Sequence, residues 1–304
     1  MTEPAIRTEK LNCRFGSLDA VQSLDLEVPA NSIYAFLGPN GAGKSTTLSV
    51  IINALRPTRG RAFLLGREST KLRAADFANI GYVAENQELP EWMTGAQTLN
   101  FLKPFYPNWD DTFQDKIQQT LEIPLSRKVA HMSRGERMKL RLLSSMAYRP
   151  SALILDEPFS GLDPSVREDL SSSLLELVGE EDWTVILASH DVDEMERLVD
   201  HAGFIKNGSL RFSESMESLQ GRYQKVTALF NSEPTKEGFP ANWSAIEQAG
   251  RELRFVDQSY QEAQVRNDLS SLGQLENLES RPLTLREIFV NNTRGQKAAG
   301  REQV

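Results

Sequence analysis

"GPNGAGKST", residues 38–46, fits the pattern G-x-x-x-x-G-K-[ST] and lies between two segments that give the pattern its meaning. Before it runs "SIYAFL", a continuous apolar stretch read as a buried strand. After it, Leu48, Ile51, Ile52 and Leu55 recur at helical spacing. Strand, glycine-rich turn and helix therefore follow in order. Each residue type suits a phosphate. The turn of Gly38, Pro39, Asn40, Gly41, Ala42 and Gly43 lets backbone N–H groups face an anion. Lys44 brings a point charge for β and γ oxygens, Ser45 a hydroxyl for Mg²⁺, and Thr46 continues the helix whose positive end meets the anion.

This loop alone does not separate kinases, GTPases and ATPases. "LILDE", residues 153–157, narrows the choice. Asp156, at the end of a buried strand, is placed to hold Mg²⁺ directly or through water. Glu157 follows, and alternation at a strand end turns it elsewhere, toward an attacking water. Two adjacent ionised carboxylates repel, so a cation nearby is needed to keep both charged.

The same alternation of apolar runs and helical stretches extends outward. "SALILDE" and "WTVILASH" are short, continuous and followed by helical patterns, as parallel strands covered on both faces require. Residues 5 to 35 contain extended runs without helical period, which predicts an antiparallel sheet. "GFIKNGSLRF" reads as a hairpin turning at Asn207-Gly208. From about 86 to 150 the pattern is helical, interrupted by "FLKPFYPNWDD". After about 215 the composition shifts. "QKVTALF", "RELRFVD" and "LENLES" read as strands of a small accessory α+β domain over 221–292, closed by a helix in "TLREIFVNN". The tail, 293–304, is expected to be disordered.

Composition excludes several classes. A net charge of −8 over 304 residues argues against a basic nucleic-acid face, so no nucleic-acid partner is expected. The single cysteine, Cys13, excludes internal disulfides. No apolar run is long enough to cross a bilayer and no secretory signal opens the chain, so a soluble, cytoplasmic protein is expected. Any membrane work would need a separate spanning subunit.

Taken together, "GPNGAGKST", "MSRGE" (132–136), "LILDEPFSGLDP" (153–164) and "ILASH" (186–190) resemble, in this order, the nucleotide-binding subunit of an ABC transporter. The resemblance covers roughly residues 5 to 220. It implies an α/β fold: a P-loop NTPase core with an antiparallel β subdomain, a helical subdomain and the C-terminal appendage. It also implies a homodimer in which two subunits sandwich two ATP molecules, driving separate transmembrane permease subunits from the cytoplasmic face of the membrane. By position, residues 38–46 would hold phosphates and Ser45 and Asp156 would hold Mg²⁺. Glu157 would act as general base, and His190 would steady the γ-phosphate and attacking water. Phe15 would stack on adenine, and Asp163 would communicate across the dimer. Ser133, Gly135 and Glu136 would open a helix onto the partner's nucleotide. On residues alone, Ser133 and Glu136 also form an S-x-x-E helix cap, and the two roles share one geometry.

The sequence departs from the family pattern at two places. Met132, Arg134 and Glu136 alter the usual Leu-Ser-Gly-Gly-Gln signature, and Glu85 stands where a neutral glutamine is common, a carboxylate able to ligate Mg²⁺ or position water. His131 and His201 match no motif position and read as structural or surface residues. Trp92, Met93, Phe105, Tyr106 and Trp109 are candidates for a groove that receives a membrane partner, or equally for a helical core. The single cassette, Glu85 and "FYPNWD" resemble exporter-type subunits for peptides and antibiotics. A soluble non-transport ABC-type ATPase or nucleotide-dependent regulatory module is the alternative. Chromosome and repair members need long coiled coils between Lys44 and Asp156, and the spacing here leaves no room for them.

Overall fold

The computed structural model describes residues 3–179, 181–192, 196, 199–235 and 238–294. Glu194, which with Asp191 reads in the sequence as an Asp-x-x-Glu helix cap after His190, and most of the tail expected after 293 lie outside the described residues. The chain divides into two compact units, Met1–Ser213 and Glu214–Val304.

The first unit begins with β1 (Ile6–Phe15), β2 (Leu18–Leu24) and β3 (Glu27–Val28), all antiparallel, as the run of extended residues predicts. β4 (Ile33–Leu37) then enters a second sheet, and α1 (Lys44–Ile51) leaves it. β5 (Arg59–Leu64) and β6 (Arg67–Glu68) complete the antiparallel sheet in the order β2-β1-β5-β6, with β3 beside β1. β7 (Ile80–Ala84) returns to the second sheet.

The helical segment holds α2 (Gly95–Leu102), α3 (Asp111–Thr120) and α4 (Arg134–Met146). The aromatics that sequence could not sort divide here. Tyr106 stacks flat on buried Tyr148, ring centroids 4.0 Å apart, and Trp109 Nε1 donates to Gln114 at 3.1 Å. These rings build the helical core. Trp92 is 75% exposed and Phe105 67%; Phe101, which the sequence did not single out, is 53% exposed and meets Phe105 edge-on at 5.8 Å.

β8 (Ala152–Asp156), α5 (Pro164–Gly179), β9 (Thr184–Ser189), β10 (His201–Lys206) and β11 (Ser209–Ser215) finish the core. Its six strands run in the order β11-β10-β4-β9-β8-β7, and the five from β10 to β7 are parallel. Every residue of β8 and β9 is buried, the physical reason their sequences are continuous rather than alternating. The β10–β11 turn is the expected one: Asn207 and Gly208 both have positive φ, 51° and 75°.

The second unit contains α6 (Met216–Arg222), β12 (Gln224–Phe230), β13 (Trp243–Ala249), β14 (Glu252–Asp257), α7 (Glu262–Leu272), β15 (Leu275–Pro282) and α8 (Leu285–Arg294). Its antiparallel sheet, ordered β13-β14-β12-β15, packs Val226, Phe230 and Phe255 against Val265 and Leu269 of α7. Trp243 stacks on Phe255 at 3.7 Å and donates from Nε1 to the buried Asp257 carboxylate at 3.2 Å.

Helix α8 opens with a reciprocal cap. Thr284 N donates to Glu287 Oε2 at 3.0 Å, and Glu287 N donates to Thr284 Oγ1 at 3.1 Å. Arg281 pairs with the same carboxylate at 2.6 Å. That guanidinium, chiefly, holds the Glu287 carboxyl at about 2, against an ordinary value of 4.5. A depressed carboxylate adds stability that is present above the unfolded value and is lost as pH falls through the folded one. Glu287→Gln is therefore expected to cost the second unit about 1 kcal/mol at pH 7. In denaturant titrations, the gap from wild type should close between pH 4.5 and 2. An equal gap at both ends of that window would remove the carboxylate from the account.

Candidate functional site

The C-terminal ends of four adjacent parallel strands, β4, β9, β8 and β7, converge on one edge of the core sheet. In open α/β sheets such an edge is where ligands bind. β4 delivers residues 38–46, β9 delivers His190, β8 delivers Asp156 and Glu157, and β7 delivers Glu85. In sequence these groups are spread from residue 38 to residue 190; strand order reunites them.

At Gly38 and Gly43 the phosphate loop passes other backbones too closely for any side chain. A Cβ on Gly38 would collide with the Ile205 carbonyl and one on Gly43 with that of Ala20, and Gly43 has φ 107°. The loop thus turns tightly into α1, whose first residue is Lys44. Lys44 is only 5% exposed. Its Nζ donates to the Gly38 carbonyl at 2.7 Å, reaches Pro39 O at 3.4 Å and lies 3.1 Å from Glu157 Oε1. One position on, Ser45 Oγ donates to Asp156 Oδ1 at 3.0 Å.

The two neighbouring carboxylates take different partners. Asp156 accepts from Ser45, whereas Glu157 meets Lys44, continues the ladder through its N–H to Ala188 O at 2.9 Å and adopts φ 51°. A non-glycine residue in that conformation is a locally strained feature characteristic of functional sites. Glu157 also lies 2.8 Å from His190 Nδ1. The carboxylate can only accept, so Nδ1 carries the hydrogen and Nε2 is left for another partner. Burial is the main cause that raises the Asp156 carboxyl, with the charges of Glu157 and Glu85 adding to it; the Ser45 hydrogen bond and Lys44 oppose.

Ser45 and Asp156 offer a hydroxyl and a carboxylate, the hard oxygen donors that Mg²⁺ takes alongside phosphate oxygens and water. Among the described residues no three His, Cys, Asp or Glu side chains converge on a metal by themselves. The donor set therefore fits a cation that arrives with a phosphate chain.

The remaining predicted residues lie on other elements. Ser133 caps α4: its Oγ accepts from Glu136 N at 3.1 Å, and Glu136 Oε2 accepts from Ser133 N at 2.8 Å. The Ser133 N–H, first, and then Arg127 at 2.6 Å hold the Glu136 carboxyl low. Gly135 packs against Val166, where a Cβ would come within 2.9 Å. Ser133 and Glu136 thus bond to each other, and Glu136 to Arg127, not to Lys44, Asp156 or His190. Asp163 is exposed, and its carbonyl accepts from Arg167 N at the start of α5. Phe15 is 49% exposed on the β1–β2 hairpin, the hairpin whose Ala20 approaches Gly43. Glu85 accepts from Ser160 Oγ at 2.8 Å and from Arg134 Nη2 at 3.3 Å. Sequence reasoning missed Ser160, although it lies inside "FSGLDP". His131 is exposed, and His201 opens β10 with a buried, unpaired Nδ1.

A family model described as "ABC transporter" matches residues 21–160. The chain is 32% identical over 210 residues to the sulfate/thiosulfate import ATP-binding protein CysA of Synechococcus elongatus, covering 67% of this chain and 61% of that protein. It is 30% identical over 211 residues to the "Probable sulfate/thiosulfate import ATP-binding protein CysA" of Chlorella vulgaris, covering 68% and 89%. The bacitracin transport ATP-binding protein BcrA of Bacillus licheniformis is 29% identical over 233 residues, covering 76% of each. Among solved structures, the dimeric post-hydrolysis state of the ATP-binding cassette MJ0796 bound to ADP and Pi shares the fold. Its TM-score is 0.62 at 19% identity, covering 69% of this chain and 98% of that one.

Proposed function

The chain belongs to the ABC transporter family as an ATP-binding, ATP-hydrolysing subunit, and we propose that it works as half of a head-to-tail homodimer that moves separate membrane subunits. The observation that carries this reading is the convergence of Lys44, Asp156, Glu157 and His190 on one sheet edge while the Ser133 helix start bonds to none of them. A site built that way has a phosphate cradle and a base, and a second copy is the natural source of the missing wall.

The roles follow from the chemistry of each group. The 38–46 backbone and Lys44 hold the β and γ phosphates. Ser45 and Asp156 hold Mg²⁺, which when bound neutralises charge on the phosphate oxygens. Glu157 takes a proton from the attacking water, and His190, oriented through Nδ1, presents Nε2 to the γ-phosphate. Glu85, close enough to Asp156 to act on its charge, is the further carboxylate near water and cation. Phe15 offers a ring face to adenine. The partner's Ser133, Gly135 and Glu136 close over the γ-phosphate, with Asp163 relaying the state of one site to the other. Closing on ATP and reopening after hydrolysis is the movement available to a membrane partner.

Among the described residues no helix is long and apolar enough to cross a membrane. The exposed rings of Trp92, Phe101 and Phe105 are the surface we assign to a permease helix at the cytoplasmic face. The likeness to a bacitracin transport subunit, together with "FYPNWD", favours export of a peptide, antibiotic or other small molecule. The second unit serves as an accessory domain for pairing or regulation. Trp92→Ala is expected to leave ATP turnover of the isolated protein within about twofold of wild type, because Trp92 is remote in chemistry from the reacting groups. The same change should abolish transport in vesicles carrying the permease. Unimpaired transport would count against the docking surface.

A further inference from the structure

Helix α4 grips the loop after β7 at one residue. Arg134, the first residue of α4, donates to Glu85 Oε1 at 3.3 Å, and Ser160 Oγ donates to the same oxygen at 2.8 Å. Two turns along α4, Arg141 Nη1 donates to the Glu85 backbone carbonyl at 3.1 Å. Carboxylate and main chain of Glu85 are thus both tied to one helix. Gly161 makes room for this: any Cβ there would collide with the Arg134 guanidinium.

Glu85 itself bears on the phosphate site. It follows Ala84, which pairs with Asp156 across β7 and β8, and its charge is among those felt by Asp156. Three carboxylates, Glu85, Asp156 and Glu157, therefore gather where a polyanion must enter. Within the phosphate loop the cation opposing them is Lys44, already paired with Glu157. A third negative charge left uncompensated would repel the phosphate chain.

We propose that Arg134 is a positioning residue for nucleotide binding that acts through Glu85, cancelling its charge and fixing it against Ser160 within the same subunit. The proposal rests on the ATP-binding reading above. It makes the sequence's two departures, Arg134 and Glu85, one feature: a basic residue on the signature helix matched to an acidic one beside the phosphate site. Because both side chains are partly exposed, the effect is moderate.

The test is calorimetric titration of the full chain with ATP and Mg²⁺, at protein concentrations where single subunits predominate. Arg134→Gly is expected to weaken binding about fivefold. Arg134→Lys, which keeps the charge, should stay within about twofold of wild type, and in a Glu85→Gln background Arg134→Gly should cost nothing further, so the double variant should bind as Glu85→Gln alone does. A merely structural role for Arg134 would weaken binding by the same factor in both backgrounds, and that result overturns the proposal. So does unchanged binding by Arg134→Gly, or a loss seen only at concentrations where pairs form, which would put the arginine's action across the dimer. Failure of the wild type itself to bind ATP would instead strike the reading on which the proposal stands.

Discussion

Glu157→Gln is expected to lower ATP hydrolysis by about 10²- to 10⁴-fold, the range a positioned general base supplies, while ATP still binds. Glutamine keeps the size of the side chain and its carbonyl oxygen can still accept from His190, so the strained turn at residue 157 survives. What disappears is the carboxylate charge placed to take a proton from water. Lys44 loses an ionic partner but keeps the Gly38 carbonyl at 2.7 Å, and a bound phosphate offers it more charge than the carboxylate did. Binding should therefore hold or strengthen. With the reopening step blocked, the nucleotide-bound pair should accumulate. Phosphate release measured beside equilibrium ATP binding and light scattering checks all three. Turnover within a few-fold of wild type would remove Glu157 from the base role, whatever happened to binding.

How much of this was legible beforehand depends on whether the signal was local. Buried parallel strands announce themselves as unbroken apolar runs, and β4, β8 and β9 were readable because all of β8 and β9, and all of β4 after Ile33, is buried. The glycine-rich loop was readable because its geometry excludes side chains at fixed positions. The capping box at Ser133 and Glu136 is local for the same reason. Non-local pairings were not readable. Arg134 and Glu85 are 49 residues apart and looked like two unrelated departures; only the placement of β7 beside β8, under α4, joins them. Exposure of aromatics was equally hidden, since Trp92 and Trp109 sit in similar surroundings in the chain yet one is bare and the other bonded. In the second unit β13 escaped because a bulge between Ser244 and Glu247, with Ala245 at φ 48°, breaks its alternation. Helix α7 escaped because Asn267, Asp268, Ser270 and Ser271 dilute its apolar stripe with poor helix formers.

Two variants that are each inactive should restore one another when mixed. Lys44→Met removes the phosphate cation while filling the same buried volume. Ser133→Asp keeps a side chain that caps a helix well, so α4 should form, but it sets a negative charge where the partner's γ-phosphate would lie. If each reaction centre draws its cradle from one chain and its helix start from the other, a mixed pair contains one centre with both lesions and one with neither. Random pairing in an isologous dimer makes half the pairs mixed, so an equal mixture should recover about a quarter of wild-type turnover. If each chain built its whole site alone, every centre would carry one lesion and the mixture would stay dead. Dilution gives an independent reading: turnover per wild-type chain should fall as pairs dissociate, by mass action. A mixture that recovers nothing, together with turnover per chain that is indifferent to dilution, would leave the Ser133 helix start as a cap and nothing more.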